Sequence, residues 1–304
     1  MVVRLRKMPQ PDLVDLHVHS SVSDGLLTPR ELVRHAKAVG LKAIALTDHD
    51  TVAGVAEALK AGREFGLEVI AGVEVSTEIE KGACHVLGYF VDPTHRGLKK
   101  VLADARGGRD ARNLRILELL NKLGLRLTMD DLAARVQDGV LTRAHFATVM
   151  LEKRYVKTWD EAFERYLGAG KPAYVRRARV MPEEAIGVIH AAGGLAVLAH
   201  PRQVNRSPKE TDAWIEQLAA AGLDGVETQS PDHTANYARR YRAAAQRLGL
   251  LETGGTDWHG YRPAAEKEKG RHTNIHVGVG RGSMAIHYTL VEAMKKRLAA
   301  RKKA

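Results

Sequence analysis

The sequence holds a single cysteine, Cys84, among 304 residues. One thiol can close no internal disulfide and build no thiolate metal cluster, so stability cannot rest on cross-links and a reducing compartment fits. No run approaches the roughly 20 apolar residues of a membrane span, so no membrane partner is expected. The opening stretch, MVVRLRKMPQP, lacks the apolar core of a secretory signal, which makes the cytoplasm the expected location. Internal repeats and low-complexity tracts are missing, as are a Gly-x-Ser-x-Gly elbow, a P-loop and a Cys/His dyad. The remainder is ordinary for a globular chain: 44% hydrophobic and 27% charged residues, with length for one large catalytic domain or two smaller ones.

Acidic residues are absent from both ends. Residues 1–11 hold Arg4, Arg6 and Lys7, and residues 294–304 hold Lys295, Lys296, Arg297, Arg301, Lys302 and Lys303. Without these nine, the net charge of +11 falls to 38 basic against 36 acidic residues, so the body is almost neutral. The ends therefore read either as solubilising tails or as contacts for a phosphate backbone.

Short apolar runs alternate with helix-patterned segments, the mark of βα units and a largely parallel sheet. The runs are 13–19, 43–47, 68–75, 84–89, 195–199, 224–228 and 251–256. Between the first two, Thr28-Pro29-Arg30-Glu31 supplies an N-cap threonine, a proline at the first turn and an acid at the third position, opening a helix that ends at Gly40. From Asp104 to Met181 the pattern is helical alone, with Leu114, Leu117 and Leu120 marking one face and Thr158-x-x-Glu161 forming another capping box. Residues 101–180 carry 16 basic and 10 acidic residues, a balance suited to a cationic lid over a phosphorylated ligand.

Histidines and acids collect at the ends of the predicted strands, where parallel barrels place their chemistry. His17 and His19 lie two apart on a strand, so both leave one face, while Leu16 and Val18 point into packing. Asp24 follows in the next loop, His49 in Thr47-Asp48-His49-Asp50, and Glu74 near the end of the third run. His85, His200 and the pair Asp257 and His259 complete nine residues. Imidazoles and carboxylates without cysteine suit Zn, Mn or Fe, and nine ligands serve two or three ions sharing a bridging carboxylate. Asp15, Asp48 and Asp50 are placed to orient ligand histidines, with a capping role equally open for Asp50.

These blocks resemble a known family. His17-x-His19 with Asp24, Thr47-Asp48-His49, Ala199-His200-Pro201 and Gly255-Thr256-Asp257-Trp258-His259 are similar to the motifs of the polymerase and histidinol phosphatase (PHP) superfamily of metal-dependent phosphoesterases, over residues 12–260. Arg143-Ala144-His145-Phe146 and Gly170-Lys171-Pro172-Ala173-Tyr174 resemble the branch of nucleoside 3′,5′-bisphosphate phosphatases, which includes 5′-to-3′ exoribonucleases of the RNase AM type. Thr256 and Trp258 depart from the Ser-Asp-Phe-His more usual in the fourth block, at positions that carry no ligand.

The resemblance implies an α/β fold, a distorted seven-stranded (βα) barrel with a helical insertion. Its parts would be 12–103 and 182–290 for the barrel, 104–181 for an insertion acting as a substrate lid, and 291–304 for a basic C-terminal tail. It implies three divalent ions, Mn foremost, with Zn or Fe compatible. One would use His17, His19, Glu74 and Asp257; a second Glu74, His85 and His200; a third Asp24, His49 and His259. The attacking group would be a metal-activated water, with no nucleophilic side chain. Arg143, His145 and Lys171 are the candidates for gripping a second phosphate, with Arg202 and His233 behind them. Trp258 and Tyr174 are read as core residues, with stacking on a base as the alternative.

The implied activity is a phosphoric ester hydrolase that removes the 3′-phosphate from nucleoside 3′,5′-bisphosphates and releases 5′-nucleotides from short RNA. The alternatives are a histidinol-phosphate or other small phosphomonoester phosphatase, and a nucleic-acid-binding module whose barrel is structural. The sequence fixes no oligomeric state.

Overall fold

The computed structural model describes residues 12–79, 83–135, 141–175, 180–204, 206–260, 275–280, 282 and 284–301. The first unit is β1 (Val14–Val18), α1 (Pro29–Ala38), β2 (Ala43–Leu46) and α2 (Val55–Phe65). In α1 both halves of the Thr28/Glu31 capping box form, and the buried positions Pro29, Leu32, Val33 and Ala36 follow the helical period. β3 (Glu68–Glu78) and β4 (Ala83–Tyr89) come next, then the helices α3 (Arg96–Lys122), α4 (Met129–Ala133), α5 (Arg143–Glu152) and α6 (Trp159–Ala162), the last running into a π-turn over Phe163–Leu167. The chain returns through α7 (Pro182–Ala191), β5 (Leu195–Leu198), α8 (Pro208–Ala220), β6 (Gly225–Gln229), α9 (Ala235–Leu248), β7 (Leu251–Gly254) and α10 (Thr289–Arg301).

The seven strands pair in chain order, and the outer two meet: Val18 bridges Trp258, and the His19 N–H donates to the Trp258 carbonyl at 2.9 Å. The sheet is thus nearly closed into a barrel. Four of its six pairings are parallel, but β4 runs against both β3 and β5. Only residues 79–82 separate β3 from β4, too few for the crossover of a dozen or so residues that parallel neighbours need. Ladder register shifts in β1 between Asp15 and Val18, and in β6 between Glu227 and Gln229. The first of these breaks strict alternation: Val14 and Leu16 pack with Leu87, Tyr89 and Val197, whereas Val18 packs with Leu32 and Ala58 under α1 and α2.

Helix α3 begins at Arg96, before the expected insertion boundary at Asp104, and crosses it as one helix of 27 residues. Its first half packs Leu98, Leu102 and Ala105 against Val73 and Val75; its second half sends Ile116 and Leu120 into a separate core with Phe146, Met150 and Leu167. Leu114, expected on the buried face, is 52% exposed, because Ile116 and Leu120 set that face one step around the helix. At Thr158 half of the expected capping box forms, since the Glu161 carboxylate accepts from the Lys157 N–H instead.

The expected basic tail is, through Arg301, the helix α10. Val291 and Met294 are buried beneath the barrel, Lys295 pairs with Glu68 at 2.7 Å, and Arg297 donates to the Gly249 carbonyl at 2.7 Å. Arg301 pairs with Asp224 at 3.0 Å. These partners lie at the starts of β3, β7 and β6, so α10 closes the barrel end opposite the strand-end histidines. Arg4, Arg6, Lys7, Lys302 and Lys303 fall outside the described residues. Among the described residues no helix is long and apolar enough to cross a membrane.

Asp224 ties this closure together, also bonding His190 Nε2 at 2.8 Å and the Ala196 N–H at 2.8 Å. Burial raises its pKa, and His190, the Ala196 N–H and Arg301 outweigh that and hold it below the usual carboxylate value. A depressed folded-state pKa stabilises above the unfolded pKa and loses that contribution as pH falls through the folded one. Asp224→Asn is therefore expected to cost about 1–3 kcal/mol near pH 7. Thermal melts of both proteins from pH 7 down to pH 3 check this, with the gap narrowing at the acid end.

Candidate metal centre

The barrel mouth gathers all nine strand-end residues. His17 is the last residue but one of β1, and His19 directly follows the strand; Asp24 lies on the next loop, His49 after β2, Glu74 within β3, His200 after β5, and Asp257 and His259 after β7. His85 is third in β4, and because that strand is reversed, its beginning lies at the same end as the other strands' termini. Glu74, wholly buried, is the centre of the arrangement. Its Oε1 accepts from His85 Nδ1 at 2.8 Å and lies 2.9 Å from His200 Nε2. Its Oε2 lies 2.9 Å from His49 Nδ1, 3.2 Å from His17 Nε2 and 3.3 Å from His19 Nε2.

Three groups of donor atoms lie within 4.8 Å of one another: His17, His19, Glu74 and Asp257; His49, Glu74 and His85; and His19, Asp24, His49 and His259. The first coincides with the expected set. The others differ from the expected sets: His49 stands in place of His200 beside Glu74 and His85, His200 belongs to none of the three groups, and His19 and His49 each face two groups, one through each ring nitrogen.

The donor set fits divalent cations on this geometry. His17 Nε2, His19 Nε2, Glu74 Oε2 and Asp257 Oδ1 are buried and make no well-formed hydrogen bond, yet lie 3.1–3.3 Å apart. Donors at about 2.0–2.2 Å from one cation stand roughly 2.9–3.5 Å from each other. Charge points the same way. Burial would raise the Glu74 pKa, but His49, His17 and His85 hold it well below the carboxylate range, and imidazoles do the same for Asp24 and Asp257. Burial and the neighbouring His259 and His49 push His19 down to about 3, leaving a neutral ring with a lone pair. His259 is lifted to about 9, against burial, by Asp24. Its proton balances carboxylate charge that a cation would neutralise instead.

Backbone strain concentrates here. Asp50, His200 and Asp257 have φ of 52°, 22° and 52°, in the region that side chains seldom adopt. Each is pinned by a carboxylate at or beside it: Asp50 Oδ1 accepts the Ser76 N–H at 2.8 Å, Glu227 accepts the His200 N–H at 2.7 Å, and Asp15 accepts from the N–H and hydroxyl of Thr256 at 2.9 and 2.6 Å.

Asp15 and Asp48 hold backbone and hydroxyl groups rather than the imidazole rings expected for them, and Asp50, for which a backbone role stood equally open, accepts from the Ser76 N–H. Asp15 also accepts the Gly278 N–H at 2.8 Å, and Asp48 binds the Ser20 N–H and the hydroxyls of Ser20 and Ser23, each at 2.7 Å, shaping the loop that carries Asp24. The carboxylate on a ligand ring is Glu227 of β6, missed in the sequence, with Oε1 at 3.1 Å from His17 Nδ1. A glutamate in mid-strand at a position facing a histidine is its one signal.

Arg143 stacks over Tyr174 at 5.6 Å and donates to the Leu167 carbonyl, while the Lys171 N–H bonds Gly168, so both cations border one turn. His145 accepts the Thr142 N–H at 3.0 Å through Nδ1, capping α5. Trp258 is core, stacked on His35 at 5.5 Å. Arg202 bonds the Asp232 carbonyl at 3.0 Å, and His233 the Thr228 carbonyl at 3.2 Å, so both brace the loops after β5 and β6.

The PHP domain model matches residues 15–167. A 5′-3′ exoribonuclease of Haemophilus influenzae is 39% identical over 81% of this chain and 89% of its own length. The chain belongs to the PHP domain family. Another relative, the 3′,5′-nucleoside bisphosphate phosphatase of Chromobacterium violaceum, is 36% identical to this PHP protein over 81% of this chain and 87% of its own. A solved structure from Bifidobacterium adolescentis, assigned as a metal-dependent phosphoesterase, superposes with a TM-score of 0.78 at 29% identity, covering 95% of this chain and 98% of the other.

Proposed function

We propose that this PHP protein is a phosphoesterase using three divalent ions, Mn foremost. It hydrolyses the 3′-phosphoester of nucleoside 3′,5′-bisphosphates and, through the same bond, releases 5′-nucleotides from the 5′ end of short RNA in the cytoplasm. The observation that carries the reading is one buried carboxylate, Glu74, within 3.3 Å of five imidazoles at the mouth of a barrel whose relatives bear those two activities. His17, His19, Glu74 and Asp257 would hold one ion, Glu74 with His85 and His200 a second, and Asp24, His49 and His259 a third. Bound there, the ions supply positive charge and an activated water.

The chain's own residues orient the ester. Asp24, Glu74 and Asp257 bring fewer negative charges than the ions bring positive ones, so the loaded mouth would keep a net positive charge that draws a dianionic phosphate. The insertion, closing as a lid, presents Arg143, with His145 and Lys171 beside it, to the substrate's second phosphate.

Product analysis tests the reading. Mn-loaded protein given adenosine 3′,5′-bisphosphate is expected to yield the 5′-monophosphate, and a 5′-phosphorylated oligoribonucleotide is expected to yield mononucleotides; chelation should stop both. Release of the 5′-phosphate instead would reject it. Arg143→Ala is expected to lower kcat/KM on the bisphosphate by about 10- to 150-fold, the equivalent of a lost charged hydrogen bond, with little change on a simple aryl phosphate. Equal losses on both substrates would remove Arg143 from the grip.

A further inference from the structure

Glu227 belongs to none of the three donor groups, yet it touches two of the nine residues at once. It lies on β6, between the strands that deliver His200 and Asp257, and is closed off from water. One carboxylate oxygen stands 3.1 Å from His17 Nδ1, and the other accepts the His200 N–H at 2.7 Å. We propose that Glu227 is a positioning residue that fixes which nitrogen of His17 faces the cation and holds the backbone of His200, and thereby sets the affinity of the Glu74 site for a divalent ion.

A carboxylate accepts hydrogen bonds and donates none, so whether the His17 ring carries one proton or two, Glu227 keeps one on Nδ1. The nitrogen left to offer a lone pair is Nε2, which lies 3.2 Å from Glu74 and 3.3 Å from Asp257. The second oxygen acts on the backbone. His200 has φ of 22°, a conformation that persists only when its surroundings impose it, and the bond from its N–H to Glu227 is such an imposition. Held that way, His200 Nε2 reaches Glu74 at 2.9 Å. One buried carboxylate thus orders two donors that arrive from strands far apart in sequence. Carboxylates behind ligand histidines act in this manner at metal sites generally.

The proposal rests on the metal-binding reading, and its test separates the two. Full-length wild type, Glu227→Ala and Glu227→Gln are titrated with MnCl2 by calorimetry, with Asp224→Asn as a variant altered away from the mouth. The tightest Mn affinity is expected to fall about 10- to 100-fold in Glu227→Ala. Glu227→Gln keeps the volume and one acceptor, so it should fold and lie between the two, while Asp224→Asn should bind as wild type does. Proton spectra of the metal-free protein supply a second readout: a slowly exchanging, downfield His17 Nδ1–H in wild type, lost in Glu227→Ala. If wild type binds no Mn, the metal reading fails and the spectra alone decide the positioning. Wild-type affinity in Glu227→Gln together with an unchanged His17 resonance in Glu227→Ala would overturn it; should Glu227→Ala not fold, the Gln variant decides on affinity and spectrum alike.

Discussion

Glu74→Gln is expected to lower turnover of a nucleoside 3′,5′-bisphosphate by at least about 1,000-fold, some 4 kcal/mol of barrier. The amide keeps the carboxylate's shape but loses its charge, and five imidazoles that now converge on an anion would meet an NH2 group or a weaker acceptor. Among the described residues no other side chain serves both the His17 and the His85 groups. Metal content should fall with activity, and the far-ultraviolet circular dichroism should not change, because Val73 and Val75 on the opposite face of β3 still pack the strand against α3. Rate measurements alongside elemental analysis of the purified variant check this. Wild-type turnover with full metal content would refute the role given to Glu74.

The second large effect is expected from a methyl group. A Cβ on Gly255 would lie 2.1 Å from His17 Cβ and 2.5 Å from the His17 backbone nitrogen. Neither atom has room to retreat, since Leu16 is buried on one side and Glu227 holds the ring on the other. Gly255→Ala is therefore expected to push His17 off the Glu74 site, cutting Mn affinity and activity by at least about 100-fold, with an overpacking cost of about 1–3 kcal/mol in stability. Gly187, in the middle of α7 with nothing within 4 Å, gives the contrast: Gly187→Ala is expected to leave activity alone and to stabilise by about 0.5–1 kcal/mol. Melting curves and Mn titration of the two variants distinguish them. Equal behaviour would mean that the contact between β1 and the loop after β7 is not rigid.

The strands and the nine residues that meet at the barrel mouth were legible because each carries a local signal. Ala43-Ile44-Ala45-Leu46 is buried at every position, which a strand covered on both faces writes as an unbroken apolar run. His17-x-His19 and Asp257-x-His259 announce themselves by spacing at strand ends. What stayed hidden depends on contacts between distant segments. The reversal of β4 follows from a connection length, and it alone explains how His85, near a strand's beginning, joins residues at strand ends. Glu227 lies inside an expected strand with no motif around it, and its meaning appears only when β6 is set beside β5 and its side chain meets His17 of β1. Asp15 and Asp48 lie beside the site, but hydrogen bonds to backbone amides leave no trace in sequence, so rings are their expected partners there. The cations of α10 looked like a solvated run because nothing local records that Glu68, Gly249 and Asp224 wait for them.

That helix also bears on how the protein is made. α10 leaves the ribosome after every strand, and until it arrives the lower layer of Leu16, Leu87, Tyr89 and Val197 has no lid of Val291 and Met294. A chain that lacks α10 is therefore expected to present that apolar layer to water and to chaperones. Such a chain, cut before Thr289, is expected to aggregate more readily than the one that carries α10.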